Sequence, residues 1–324
     1  MRLENINITL QGFAREDDAR RIAHCVSDVV FSISERIDLE RLEAITITYD
    51  YEKTLLEMDC GYETSTQLSP TKDSSGVGVA MAKQILKDDM VKVHMVFDAP
   101  YLEPLDNEDH EFFHDTISLI AHECGHVEEL KIFDSKFPNI LLKPYQGSEY
   151  SYLLDVMLPS WQEYAACRIS SPFCVDETLK IQSNLLVSSL QNSLKESRDA
   201  IKRYRIHGDI NLVWKECGRP LFAPIRYASY LFGYIDGLNK SIEDYQEAHL
   251  AILNNDFYRE ILLQLHLELQ SLWSSRETWD SLDAFSPLKK IADTLYNAGG
   301  LHFVSCPDGG FYIAIPFSPE TMPD

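Results

Sequence analysis

Apolar and polar positions along the chain predict a mixed N-terminal part and a helical remainder. Ile6 to Leu10 alternates, as a short strand does. Between Arg15 and Ile37 the residues Ile22, Val26, Val29, Val30 and Ile33 recur at helical intervals and predict one buried helix face. Ala44 to Tyr49 is rich in β-branched residues and predicts a strand; Glu52 to Met58 predicts a short helix. Residues 60–76 are polar and carry Gly61, Pro70 and Gly76, which predicts a loop. Val77 to Ile85 and Val91 to Asp98 predict two strands joined near Lys87-Asp88-Asp89. Two prolines and several acids fill 99–107, where Asp106 or Asn107 can cap a helix at about 108–133.

After a connector at 134–150 the spacing is helical. One helix follows Pro159, a favourable first-turn residue, and a long one covers 176–205. Further helices are expected at 220–237, 240–253, 256–274 and 286–298. Leu301 to Ser305, the turn Pro307-Asp308-Gly309-Gly310 and Phe311 to Pro316 read as a closing hairpin. The expected class is α+β, with an α/β lobe at 1–135 and a mainly helical lobe at 136–324. There is no internal repeat and no low-complexity tract.

The helix at 108–133 carries the chemistry. It contains Leu119-Ile120-Ala121-His122-Glu123-Cys124-Gly125-His126-Val127, a His-Glu-x-x-His pattern between apolar residues. On a helix, positions i and i+4 lie about 40° apart around the axis and about 6 Å along it. His122 and His126 can therefore reach one metal ion, and Glu123 a water beside it. A second literal match, His110-Glu111-Phe112-Phe113-His114, lies just upstream. Both cannot serve one site, because His114 and His122 are about 80° and about 12 Å apart on one helix. The flanks favour 122–126. Glu108, Asp109 and Asp115 look like an acidic first turn, where the helix dipole favours negative charge.

Composition narrows the partners. There are 51 acidic residues against 29 basic and a net charge of −22, which argues against nucleic acid. The basic run Lys195, Arg198, Lys202, Arg203, Arg205 reads as the solvated end of a helix. Seven cysteines, none in a Cys-x-x-Cys pair, argue against a disulfide framework and a cysteine-based zinc module. Met1 leads into Arg2, Glu4 and a strand-like run rather than a signal segment. Leu221 to Ile235, the most apolar later stretch, is broken by Arg226 and is too short to span a bilayer. A soluble, cytoplasmic protein without a membrane partner is expected; the oligomeric state is not legible.

With its His-Glu-x-x-His helix placed after a helix and three strands, the chain resembles the zincin metallopeptidases over roughly residues 15–170. The resemblance implies a zincin-like N-terminal lobe with a twisted sheet, a Zn2+ cofactor, Glu123 as the catalytic base and a protein or peptide substrate. It also implies that the strand before the motif helix, here Val91 to Phe97, is a sheet edge on which substrate is added as a strand. More narrowly, the small lobe is similar to compact bacterial regulatory peptidases of the ImmA/IrrE type, which cleave protein partners.

Catalytic zinc needs a third protein ligand. Glu129 lies seven residues after His122 and would have to bend back; it reads as an outer partner or a surface residue. The branch with a Gly and a third His downstream is excluded, because Glu129 and Ile132 occupy those positions. Asp134, Glu149 and Asp155 lie in or near the connector. Glu163 is the chosen ligand. It stands 37 residues after His126, before Ala165 and Ala166, whose small side chains let two helices approach. This is similar to the glutamate-zincin pattern, except that the acid expected four residues later is Cys167. Candidate oxyanion donors are Tyr227, Tyr230 and Tyr234, with Arg226 adjacent, and His207. Gly125 suggests close approach of the sheet or the substrate; Cys124 reads as a small core residue, and His94 as structural or exposed rather than a ligand. The competing readings are a non-catalytic binding or regulatory protein of zincin descent, with a structural or absent metal, and a coincidence of histidines on an amphipathic helix.

Overall fold

A computed structural model describes residues 6–62, 68–70, 72–73, 76–138, 140–142, 157–306 and 311–323. The architecture is α+β, with a small mixed sheet in the N-terminal part and a hairpin near the C-terminus. The chain divides into two compact units, Met1–Lys143 with Ala165–Leu179, and Pro144–Tyr164 with Lys180–Asp324.

In the first unit, β1 (Asn7–Gln11), α1 (Glu16–Ile33), β2 (Leu42–Thr48) and α2 (Tyr51–Leu56) follow in order. A two-residue pair, β3 (Lys72–Asp73) and β4 (Gly76–Val77), forms at the end of the expected loop, and Val77 belongs to it rather than to the next strand. Next come β5 (Ala80–Lys87), β6 (Met90–Asp98) and α3 (Phe113–Lys136). The four-stranded sheet runs β1-β2-β6-β5. β1 and β6 flank β2 in parallel, while β5 pairs antiparallel with β6. Val91 to Phe97 is therefore a central strand and not the expected edge; the edge beside it is β5. The cause is the tight connection. Asp88 and Asp89 both have positive φ, 51° and 57°, the sense of a two-residue hairpin turn that matches strand twist. That turn forces the two consecutive strands to pair with each other.

Alternation along the strands sends Ile45, Ile47, Val93, Met95 and Phe97 into one core. There they meet Ile22, Val26, Val30 and Ile33 of α1 and Ile120, Ala121, Cys124 and Val127 of α3. Each such burial stabilises by roughly 1.5–3 kcal/mol for a large aliphatic side chain. The opposite face of β6 is covered at Val96 by Tyr51 and Leu55 of α2. The far end of α3 is fixed by polar contacts. Glu128 Oε2 accepts from the Asp38 amide at 2.6 Å, and Lys131 reaches Asp38 and Glu40.

The motif helix begins at Phe113, five residues later than expected. Asn107 does not cap it; its Oδ1 accepts from Asp109 N in the preceding turn. The acid- and proline-rich stretch instead forms short 3-10 turns at Ala99–Tyr101 and Glu103–Asp106.

In chain order, α4 (Leu158–Ser170), α5 (Asp176–His207), α6 (Ile210–Val213), α7 (Arg219–Gly237), α8 (Gln246–Leu253), α9 (Arg259–Ser275) and α10 (Ser286–Ala298) follow. The hairpin is β7 (His302–Ser305) with β8 (Phe311–Ala314); its turn lies outside the described residues, as does most of the connector. The second unit is built around aromatic rings. Trp161 packs edge-on against Trp279 with centroids 5.1 Å apart, and lies 6.3 Å from Trp273. No helix among the described residues is long and apolar enough to cross a membrane.

Candidate metal centre

Six consecutive residues of α3, Ile120 to Gly125, are buried. A helix buried all round has no polar face to spare, so each polar group inside it needs a partner. His122 is 8% and Glu123 6% exposed. The helical rise brings the imidazoles together as the spacing predicts. His122 and His126 Nε2 lie 3.2 Å apart, with ring centroids at 4.7 Å and planes at 81°. Both nitrogens point toward one place.

The second helix arrives there because of two small residues. A Cβ built on Gly125 would lie 2.5 Å from the Ala166 carbonyl oxygen, closer than any real contact. Only glycine at 125 admits the backbone of α4 at this distance. The close neighbour that Gly125 accommodates is thus a helix, not the sheet. Ser118 Oγ donates to Phe173 O at 2.6 Å, tying α3 to the turn that follows α4. Glu163 stands two residues before the part of α4 that belongs to the first unit, on the same unbroken helix. One ligand atom each of His122, His126 and Glu163 falls within 4.8 Å of the others. Among the described residues this is the one group of three or more His, Cys, Asp or Glu side chains so arranged.

The donor set fits a metal ion. Two imidazole nitrogens and a carboxylate oxygen converge in a half-buried place where an uncompensated carboxylate would be costly. The outer nitrogen of His122 is held as well. Cys167 Sγ lies 3.5 Å from His122 Nδ1, and this thiol occupies the position four residues after Glu163 where an acid was expected. With Nε2 turned to an ion, Nδ1 carries the proton and donates to sulfur.

The other expected residues fall elsewhere. His110 sits in the turn before α3, where its Nδ1 accepts from Phe112 N at 3.1 Å, and His114 is the second residue of the helix. They form no metal group. Glu129 is buried, not a surface residue, and is absent from the ligand group. Asp134 faces Arg41 at 3.4 Å, while Glu149 and Asp155 lie outside the described residues. Cys124 is a core residue whose thiol burial pushes up. His94 Nε2 pairs with Thr46 Oγ1 at 2.8 Å, a structural contact; burial lowers its pKa. Tyr227 and Tyr234 are buried in the second unit, where the Arg226 guanidinium lies 5.1 Å from the Tyr227 ring centroid. His207 ends α5 and accepts from Asp209 N.

Two features were not anticipated from the sequence. In the second unit Asp236 accepts from Tyr164 at 2.6 Å, from His266 at 3.1 Å and from Gln270 at 3.0 Å, with His266 stacked on Phe232. In the first unit Tyr51 is buried and its Oη has no hydrogen-bond partner, a condition that costs about 1–3 kcal/mol. An aromatic residue at the head of a short helix signals packing, and nothing in its spacing marks the hydroxyl.

No family model, no curated protein and no solved structure matches this chain.

Proposed function

We propose that this protein is a zinc-dependent peptidase of the zincin type, hydrolysing peptide bonds of a protein or peptide substrate. The observation that carries the reading is the convergence of His122, His126 and Glu163, with Glu123, the residue next to His122 on the same helix, buried. A structural metal has no use for that carboxylate; hydrolysis does. Two imidazoles and a carboxylate, with a position left for water, are a donor set that suits catalytic zinc.

When bound, the ion supplies Lewis acidity, which lowers the pKa of a water toward neutrality. With zinc held by His122, His126 and Glu163, Glu123 would take a proton from a water whose oxygen adds to the scissile carbonyl carbon. As the C–N bond broke, Glu123 would return that proton to the leaving amine nitrogen. His122 is oriented for its role by Cys167, and α4 presents Glu163 through the close approach at Gly125. The edge strand β5 takes the place assigned by resemblance to the substrate-binding strand, since an extended peptide adds to an open sheet edge through main-chain bonds.

The test compares wild type with Glu123→Gln. About one zinc per chain is expected in both by elemental analysis, and peptide hydrolysis in the wild type alone. Hydrolysis that survives Glu123→Gln would overturn the mechanism. A wild type that takes up no zinc after dialysis against excess metal would remove the enzyme reading.

A further inference from the structure

Apart from the metal centre, the first unit holds a cleft of about 600 Å³ past the carboxyl ends of its three parallel strands. Phe13 follows β1 by two residues, Tyr49 follows β2 directly and Pro100 follows β6 by two, and all three line it. α1 supplies Asp18 and Arg21, and the turns before α3 supply Glu103 and Asp106. In open sheets of parallel strands this end is where ligands settle, because the loops there shape a crevice at the ends of the strands. The volume is that of a small-molecule site. The upstream His-Glu-x-x-His match also finds its place here. His110 and Phe112 are walls of the cleft and belong to no metal group.

The charges say what suits it. Arg21 donates to Asp106 at 2.8 Å and to Asp18 at 3.1 Å, and Arg15 approaches Asp18 at 3.6 Å. These bases are committed, so an anion would meet no spare one. Glu103 accepts from Tyr49 Oη at 2.6 Å and is paired with no cation among the described residues. A phenol neutralises nothing, so the charge of Glu103 is left for a visitor. An inorganic ion is the poorer match, because these acids do not converge closely enough to share one, as His122, His126 and Glu163 do. The rings add the rest. Tyr49 is 42% and Phe112 52% exposed, so much of each ring is open to contact. Phe13 meets Tyr49 edge-on with centroids 4.9 Å apart, and Glu103 anchors its hydroxyl, which fixes the Tyr49 ring in place. Aromatic faces attract cations, and a ring and carboxylate already fixed lose little freedom when one arrives.

We propose that this cleft binds a small organic cation, an ammonium or guanidinium group on an apolar body, with its charge at Glu103 and its body against Tyr49 and Phe112. The site is separate from the metal centre and does not depend on the peptidase reading. The same group is carried by a free amine and by a basic side chain of a polypeptide, and the experiment separates the two sources.

The test is titration calorimetry on the full chain with 2-phenylethylammonium, the neutral 2-phenylethanol and the anionic 3-phenylpropanoate. Saturable binding at one site per chain is expected for the amine alone. Glu103→Gln keeps an acceptor for Tyr49 and is expected to weaken the amine about tenfold or more; Phe112→Ala is expected to weaken it about 2–5-fold. Glu260→Gln, at an exposed acid of the second unit, is expected to change nothing. All three side chains are exposed, so thermal midpoints are expected to match wild type. If Glu103→Gln melts early, Phe112→Ala carries the comparison. The source is read from N-acetyl-lysine N-methylamide against butylammonium, the same side chain without a backbone: tighter binding of the first supports a polypeptide source, tighter binding of the second a free amine. Equal amine affinity in wild type, Glu103→Gln and Phe112→Ala would overturn the proposal, as would an equal loss in Glu260→Gln. Either result reduces the effect to general attraction between a cation and a chain of net charge −22. No saturable binding of the amine, or equal binding of the neutral analogue, would overturn it as well.

Discussion

Gly125 and Ala166 stand so close that a single Cβ on the glycine would lie 2.5 Å from the alanine's carbonyl oxygen. That carbonyl belongs to a helix backbone and cannot rotate away. Gly125→Ala gains about 1 kcal/mol of helix propensity but meets an overpacking cost of about 1–3 kcal/mol, so the clash wins. The variant is expected to unfold at lower urea concentration. Because relief of the clash separates α3 from α4, zinc affinity is expected to fall at least tenfold. Equal midpoints and equal affinity would show that the two helices can part without consequence.

Cys167 tests the support behind the metal ligand. Its sulfur lies 3.5 Å from His122 Nδ1. Cys167→Ala removes the acceptor for that ring proton and is expected to weaken zinc binding about 10–100-fold, read by competition with a chelator. Cys167→Ser keeps an acceptor in nearly the same place and is expected to retain affinity within a few-fold. Equal loss in both variants would assign the effect to packing.

Asp236 gives the second unit a defined pH response. Burial raises its pKa, but hydrogen bonds from His266, Tyr164 and Gln270 outweigh burial and hold the carboxyl below its ordinary value. A depressed folded-state pKa contributes stability that is present above the unfolded value, about 4, and is lost as pH falls through the folded one. Asp236→Asn is expected to cost about 1.5–3 kcal/mol at pH 7. The gap between wild type and variant should narrow in acid, below about pH 4, in urea titrations at stepped pH. A gap independent of pH would mean that the carboxylate's charge contributes nothing.

Much of this organisation was legible in the sequence where it depends on local geometry. The i, i+4 spacing of His122 and His126 sets their relation as soon as the segment is helical, and the flanks Leu119 to Val127 show that it is a buried helix. Ala165 and Ala166 marked the helix that approaches, and with it Glu163. Sheet order was less legible, because parallel pairing of β1, β2 and β6 is settled by contacts far apart in the chain; the edge position that the resemblance implied for Val91 to Phe97 belongs to β5. The late start of α3 was hidden by acids around 106–109 that suit a helix N-terminus as well as the turns they form. Glu129 read as an outer partner or a surface residue because charge alone says nothing about burial; it is buried. Cys167 and Asp236 owe their contacts to neighbours 45 and 30 to 72 residues away, given by His122 and by the pair His266 and Tyr164. No local pattern carries such information.

The aromatic cluster around Trp161 has an optical consequence. All four tryptophans, Trp161, Trp214, Trp273 and Trp279, lie in the second unit. Indole emission is therefore a signal from that unit alone, and the unit that carries both histidines is dark at those wavelengths. Melting followed by tryptophan emission and melting followed by backbone dichroism are two different observations on one chain. Coincident curves mean one cooperative transition; separated curves time the two units independently, without a label on either.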